Sequence, residues 1–376
     1  MSCERCAKYL RLHLADGVGS VLFKRFLEAF GSIDAVLAAG PAKLRQVEGI
    51  GEKTAAAVAA VTDQDVATEL ELAAAQGAEI LCLEDPRYPR ALKDIPDPPP
   101  VLYVLGQLVQ ADAVALSIVG SRRCTHYGLE QAERFGSLLG RAGFTVVSGG
   151  ARGIDAAAHR GSLAGGGRTI AVMGCGLCNL YPPENRKFFQ QIVQEGRGAV
   201  ISELPMRTAV LAGNFPTRNR IISGLSLGVL VIEAARRSGS LITARLAIEQ
   251  GKDVLAVPGR VDSPFSEGVN QLIRDHSAHL VQNLEDILES LENVGEALKK
   301  AGAVEATRPV RPCPALSELE QALLAELSKN EMGLDELVRR TGRHPGQVTG
   351  AMTTLAIKGQ VAQRPGGIFA VRRAPA

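Results

Sequence analysis

The sequence predicts an α/β protein: an extended Rossmann-like, doubly wound and mostly parallel sheet, flanked by a small all-α N-terminal domain and a C-terminal winged helix. Three observations carry this. Six short apolar runs, rich in β-branched residues, stand at 115–120 (ALSIVG), 145–148 (TVVS), 169–173 (TIAVM), 199–202 (AVIS), 228–232 (GVLVI) and 253–257 (DVLAV). Stretches of helical spacing and length separate most of them, the pattern of strands buried on both faces of a parallel sheet. Glycine-punctuated helical segments precede the runs, and three short helices with a Gly-Gly hairpin come after them.

The order along the chain divides it at 1–70 (helical domain), 71–110 (connector and entry to the sheet), 111–291 (sheet domain), 292–315 (linker) and 316–376 (winged helix-turn-helix). In the first part, Gly17-Val18-Gly19 opens a helix at 20–30 and Gly49-Ile50-Gly51 opens another at 52–61. A Gly-hydrophobic-Gly turn before a helix exposes backbone N–H groups at the positive helix end, which suits a phosphate. The pair resembles a doubled helix-hairpin-helix module, although Glu48, Glu52, Asp63 and Asp65 fit a protein-interaction or spacer role equally well. Segment 85–106 is proline-rich and reads as a connector, since proline interrupts both helix and ladder.

Residues 301–315 are rich in alanine and proline and read as a linker. The helices beyond it match a winged helix-turn-helix. Its third helix, about 345–358, offers Gln347, Thr349, Thr353 and Thr354 but no Arg, with Arg339, Arg340, Arg343 and Arg364 around it. That composition favours protein contact over sequence-specific base reading.

With 376 residues, 46% hydrophobic and 22% charged, the composition is that of a globular protein of two or three domains. No apolar run reaches about 18 residues, so no membrane span is expected. The opening MSCERCAKYLRLHLADG lacks a secretory apolar core, and the seven cysteines read as reduced thiols of a cytoplasmic protein. Residues 111–290 carry 19 Lys and Arg against 16 Asp and Glu, and 17 of those 19 are Arg. That bias favours shaped recognition of anions over diffuse basicity.

In a doubly wound sheet, ligands gather beyond the carboxyl ends of the strands. The segments just past the six runs are GSRRCTHYG (120–128), SGGARGIDAAAH (148–159), GCGLCNLYPPENR (174–186), SELPMRTAVLAGNFPTRNR (202–220), EAARRSGSLITA (233–244) and PGRVDSPFSEGVN (258–270). Nearly every segment pairs Gly or Ser with Arg, and glycine lets backbone N–H groups approach an anion. The candidate ligand-binding residues are therefore Gly120, Ser121, Arg122, Arg123, Gly149, Gly150, Arg152, Arg218, Asn219, Arg220, Ser238 and Ser240. Arg218 and Arg220 stand at the mouth of this crevice, ahead of a helix at 221–227. One faces phosphate while the other pairs internally with Glu203 or Glu233, and the sequence leaves open which.

No GxxxxGK[ST] and no GxGxxG with a ribose-binding acid is present, so neither a P-loop nor a dinucleotide site is supported and no cofactor is expected. Asp155 and His159, four apart on a helix, read as structural contacts. Cys3–Cys6 and Cys175–Cys178 have CxxC spacing but lie 169 residues apart, so they read as separate thiols, and no metal site is expected.

Taken in order, GSRRCTHYG, SGGARGIDAAAH, TIAVMGCGLCNLYPPEN, FPTRNRIISGLS, VIEAARRSGSLITARLAIEQGKDVLAVPG and SEGVNQLI resemble the DNA-processing protein A family (DprA, also called Smf) over about residues 86–291. The resemblance implies a domain that binds single-stranded DNA without strong sequence preference. It also implies homodimerisation, protection of incoming DNA in natural transformation, and loading of a RecA-type recombinase. By the same resemblance Arg122 is the phosphate-binding arginine of the Gly-Ser-Arg turn, Lys252 a second basic DNA contact, and Arg218, Asn219 and Arg220 the Arg-Asn-Arg signature. Two departures stand out. Cys175 and Cys178 occupy variable positions, and RDHSAHLV (274–281) stands where the family usually has a Gly-Ala pair.

Two other readings compete. The sheet and the SGSLIT turn are similar to those of the LOG phosphoribohydrolases, but Ala244, Arg245 and Leu246 occupy the positions where a catalytic acid is needed, so no enzyme is expected. A winged-helix transcriptional regulator with a nucleotide-sensing sheet is the other, and the Arg-poor third helix argues against it.

Overall fold

The computed structural model describes residues 2–291, 317–330, 332–357, 361–364 and 368–371, in two compact units, 1–305 and 306–376. The first unit opens with six helices: α1 (Ser2–His13), α2 (Ser20–Phe30), α3 (Ile33–Ala38), α4 (Pro41–Leu44), α5 (Glu52–Ala60) and α6 (Asp63–Ala75). Both glycine turns form where the sequence places them. Gly17 (φ 82°) and Gly49 (φ 85°) take left-handed conformations that a side chain would disfavour, and Gly19 and Gly51 cap α2 and α5. Thr62 and Asp65 close a reciprocal capping box on α6. These helices do not form a separate core: Tyr9, Leu10, Phe23 and Phe26 share one buried cluster with Tyr103 of a sheet strand and Phe189 of a helix that covers the sheet.

The stretch read as a connector supplies two strands, β1 (Ala78–Cys82) and β2 (Val101–Gly106), with the short helix α7 (Arg90–Lys93) between them. The prolines at 86, 89, 96 and 98–100 all fall between the strands, so VLYVLG keeps every N–H its ladders need. Six parallel-sheet strands come next in the order expected: β3 (Ala115–Gly120), β4 (Thr145–Ser148), β5 (Arg168–Val172), β6 (Gly198–Ser202), β7 (Gly228–Ile232) and β8 (Asp253–Val257). A short ninth strand, β9 (His279–Leu280), adds to the edge from within RDHSAHLV.

The spatial order is β1-β2-β6-β5-β4-β3-β7-β8-β9. β1–β2 and β2–β6 are antiparallel, and every other pairing is parallel. The chain winds outward from β3 through β4, β5 and β6, then returns to place β7 on the other side of β3. That reversal puts a topological switch point between β3 and β7.

Seven more α-helices occur among the described residues of the unit: α8 (His126–Arg141), α9 (Ile154–Ala164), α10 (Arg186–Gln194), α11 (Asn214–Gly224), α12 (Ser240–Glu249), α13 (Glu267–Arg274) and α14 (Leu284–Ser290). The alternation of β3 shows how they divide. Leu116 and Ile118 pack with Phe135, Leu139, Ile154 and Ile287 of α8, α9 and α14. Ala115 and Val119 pack with Ile221, Ile222, Ala244 and Val269 of α11, α12 and α13 on the opposite face. Successive strand residues point to opposite faces, so each strand serves two cores. The helix read at 221–227 begins seven residues earlier, at Asn214. Pro216 sits in its first turn, where the missing N–H has no partner to lose.

The described residues of the second unit form α15 (Glu318–Lys329), β10 (Met332–Gly333), α16 (Leu334–Thr341), α17 (Pro345–Ile357), β11 (Val361–Arg364) and β12 (Ile368–Val371). Its three strands pair in the order β10-β12-β11, over a core containing Leu323, Leu327, Leu337, Val348, Met352 and Leu355. This is the expected winged-helix arrangement. Gly366 and Gly367, the side chains of Thr353, Thr354 and Arg364, and the linker 292–315 lie outside the described residues. No described helix is long and apolar enough to cross a membrane.

Candidate nucleic-acid interface

Beyond the carboxyl ends of β3 and β7 the switch point opens into a cavity of about 520 Å³. Gly120, Ser121, Arg122 and Arg123 line it from the β3 side, Ser238, Gly239 and Ser240 from the β7 side, and Phe215, Arg218 and Asn219 of α11 from across. Gly149 and Arg152 lie at an adjoining neck with Arg122 and Tyr181. Three candidate residues stand apart from the cavity. Gly150 (φ 62°) is buried below, Arg220 is beneath the floor, and Lys252 is at the other edge of the sheet.

The Gly-Ser-Arg turn is held from every side. A Cβ on Gly120 would lie 2.0 Å from the Ile232 carbonyl, so only glycine permits this approach of β3 to β7. Ser121 N donates to Glu233 O at 2.8 Å, and Ser121 Oγ donates to Arg123 O at 2.5 Å. Gly153 (φ 78°) lies beyond β4, and a Cβ there would meet the Ser121 carbonyl at 2.5 Å. The exposed Arg122 projects from this fixed turn. Its guanidinium lies over the Phe215 ring, 4.9 Å from the centroid. No ion pair to Arg122 or Arg123 occurs among the described residues.

Glu233 is the residue sequence reasoning missed, having weighed it only as a partner for an arginine. It is buried, sits at φ 47°, and accepts from Thr125 N at 2.8 Å and Thr125 Oγ1 at 2.5 Å. Thr125 in turn caps α8. The acid therefore ties the end of β7 to the loop that carries Arg122 and Arg123, in a backbone conformation costly for a non-glycine residue. Its signal in the sequence is an acid directly after five apolar strand residues.

Arg218 and Arg220 are separated by two positions on α11 and so leave the helix in different directions. Arg218 lines the cavity, although only 4% of it is exposed. Its Nη1 donates to Gly149 O at 2.8 Å and to Val172 O, which closes the ends of β4 and β5. Burial lowers this guanidinium to about 10, while the Asp155 carboxylate pulls the other way. Asp155 is itself buried and accepts from Ala151 N at 3.3 Å. Burial disfavours charge on Arg220 too, but Glu203 and then Asp97 outweigh it and raise its pKa. Glu203 takes two bonds from Arg220, at 2.8 and 2.5 Å, and Asp97 Oδ2 takes one at 2.8 Å. Of the two expected internal partners, Glu203 is the one used. Between them, Asn219 Nδ2 reaches Gly239 O at 3.4 Å, beside the Ser238–Ser240 hydroxyl contact of 2.8 Å.

Lys252, carried over as a second basic DNA contact, is placed elsewhere by the strand direction. It precedes β8, so it stands at the amino ends of the strands, opposite the cavity. Its Nζ donates to Gly224 O at 2.7 Å and Ser226 O at 2.6 Å, satisfying carbonyls at the end of α11. Burial lowers its pKa to about 8, against the pull of Asp94.

Aromatic and cationic groups form a ladder along the cavity wall. Phe215 lies 6.1 Å from Tyr181, and Arg152 lies 5.5 Å over the Tyr181 ring while pairing with Glu184 at 2.7 Å. His159 is buried and contacts Thr169 Oγ1 at 2.6 Å. Cys175 Sγ bonds Asn179 O, and Cys6 Sγ lies 3.2 Å from Cys82 Sγ. No group of three or more metal-ligating side chains occurs among the described residues. In the second unit Arg340 pairs with Glu326 and Glu336, and Arg339 with Glu336.

Comparison with known proteins places this geometry in context. The sequence model for DNA recombination-mediator protein A matches residues 79–292, that for the DprA winged helix domain 307–367, and that for a SAM-like helix-hairpin-helix tandem 11–60. Protein Smf of Synechocystis is 36% identical over 395 residues, covering 97% of this chain and 98% of its own. The X-ray structure of DNA processing protein A from Streptococcus pneumoniae superposes with a TM-score of 0.67 at 33% identity, covering 76% of this chain and 98% of that one. The Helicobacter pylori DNA processing protein A, described for its single-stranded DNA binding mode, gives 0.51 at 31% identity, covering 59% and 97%.

Proposed function

Because the chain belongs to the DNA recombination-mediator protein A (DprA/Smf) family, we propose that it binds single-stranded DNA at the β3–β7 switch point, protects incoming DNA during transformation and loads a RecA-type recombinase onto it. One observation supports the site above the others. Arg122 is an exposed guanidinium on a turn fixed through Ser121, stacked on Phe215 and outside any ion pair among the described residues. A cation held in place without a carboxylate partner suits a phosphate, because binding neither breaks a pair nor orders the loop.

In this reading the backbone of residues 120–123 and the Arg122 and Arg123 guanidinium groups take phosphate oxygens, and Ser238 and Ser240 add hydroxyl donors. Phe215 offers a ring for a base, with Arg122 on the same ring. Arg218 ties the ends of β4 and β5 together at the cavity wall, and Arg220 and Lys252 hold α11. The chain has no Trp and only 4% aromatic residues, so affinity rests on phosphates and cavity shape more than on stacking. The domain limits 111–291 and 316–376, a cytoplasmic location and a homodimer that sets two cavities on one strand belong to the same proposal. No catalysis is assigned.

The test is fluorescence anisotropy of labelled oligo-dT with the full chain and with residues 1–305, against unlabelled single-stranded and duplex competitors. Retained single-strand preference in the shorter chain supports the reading. A duplex preference that disappears with residues 306–376 favours the regulator instead.

A further inference from the structure

The cavity at the switch point continues past Phe215. The neck lined by Arg122, Arg152 and Tyr181 shares Arg122 and Phe215 with the main cavity, and Tyr181 with a second hollow of about 260 Å³. This hollow lies between the loop after β5 and the loop after β6, walled by Leu180, Tyr181, Pro183, Arg186, Ala209 and Val210.

Two features distinguish it from a polar surface dent. Apolar side chains at its edge face water, with Val210 38% exposed and its neighbour Leu211 56%. Solvated apolar groups beside an aromatic wall are what a nucleobase covers. Its cation is also uncommitted: Arg186 is exposed and, among the described residues, donates only to the Leu180 carbonyl, at 3.4 Å. Arg152 at the neck is different, because Glu184 neutralises it and its guanidinium holds the Tyr181 ring in place.

Resting on the reading of the main cavity given above, the geometry points to an outer nucleotide subsite, in which Tyr181 and Val210 bound a base and Arg186 meets its phosphate. The occupant is the next part of the strand already held at Arg122, since the neck that shares its walls with both hollows is flanked by Arg122 and Arg152. A strand leaving the main cavity therefore runs across Arg122 and Tyr181 towards Arg186. The subsite gives the protein a footprint longer than the switch-point cavity alone.

The experiment compares the full chain with the Arg186→Ala and Val210→Asp variants on oligo-dT of increasing length, by anisotropy at several salt concentrations. Wild type gains affinity as the oligomer outgrows the main cavity. Both variants lose at least about fivefold of that gain, the scale of one stacked base. In Arg186→Ala the log–log salt slope on long oligomers also falls by about 0.7, the share of one phosphate. A length gain equal to wild type in both variants overturns the subsite, as does an equal loss at every length. Arg122→Ala separates the two readings. If it binds like wild type, the main cavity is misassigned. If it abolishes binding while the variants keep the full length gain, only the subsite falls.

Discussion

Both carboxylate oxygens of Glu203 accept from the Arg220 guanidinium, at 2.8 and 2.5 Å, under the floor of the cavity rather than within it. The pair joins β6 to α11, and Asp97 from the loop before β2 completes it. Breaking a buried pair leaves a charge without its partner, at a cost of about 3–5 kcal/mol. Glu203→Ala should lose stability near the lower end of that range, since Asp97 remains, and urea denaturation of the variant measures it. Oligo-dT affinity of the folded variant should stay within a few-fold of wild type, because Arg220 does not line the cavity.

Glu233 should matter to both stability and binding. Glu233→Gln places an amide against the Thr125 N–H or hydroxyl, where two acceptors now stand. A buried donor without an acceptor costs about 1–3 kcal/mol. The loop carrying Arg122 and Arg123 keeps its backbone bond to Glu233 but loses one of the two side-chain bonds to β7, so affinity for oligo-dT should fall along with the melting temperature. A variant destabilised to the same extent with unchanged affinity would assign Glu233 to the fold alone.

His159 gives the pH dependence a defined sign. The Thr169 hydroxyl donates its single hydrogen to Val146 O at 2.7 Å, so His159 Nδ1 is the donor in their 2.6 Å contact. Nε2 has no partner among the described residues, so a second proton there would be buried without an acceptor. Burial, then Arg218 and Arg160, lower the pKa to about 3 from an ordinary 6.5. Between those values the unfolded chain holds a proton that the folded chain lacks, so stability falls as pH drops from about 6.5 towards 3. The full effect is on the order of 5 kcal/mol. Burial also lowers His13, to about 4, so His159→Gln should make the stability–pH curve between pH 6.5 and 5 shallower without flattening it, read from denaturant midpoints.

The parallel strands were legible because each depends on its own residues: five or so β-branched and apolar side chains buried on both faces leave little else for the segment to be. β2 was hidden by its neighbours, since the prolines at 98–100 adjoin a strand that contains none. The start of α11 was hidden in the same way, because Pro216 reads as a break unless the first helical turn is already known. Of the partners of Arg220, Glu203, 17 residues away, was one of two acids the sequence offered, whereas Asp97 lies 123 residues away and no local pattern reports it. Lys252 illustrates a signal that was present: a residue before a parallel strand and a residue after one stand at opposite edges of the sheet. The cavity itself was legible in outline, as Gly, Ser and Arg recurring after successive strands, whereas Phe215 as a partner of Arg122 emerges only once α11 is packed across β3.

The most direct measurement of the central claim is the salt dependence of oligo-dT binding by wild type and Arg122→Ala. A site that neutralises about four phosphates has a slope of log K against log salt near −3. The account predicts such a slope for wild type, and for Arg122→Ala an affinity lower by at least about tenfold with a shallower slope, since a hydrogen-bonded charge contact is worth about 1.5–3 kcal/mol. An Arg122→Ala protein that binds with wild-type affinity and slope would contradict it, and would move the DNA site away from the β3–β7 switch point.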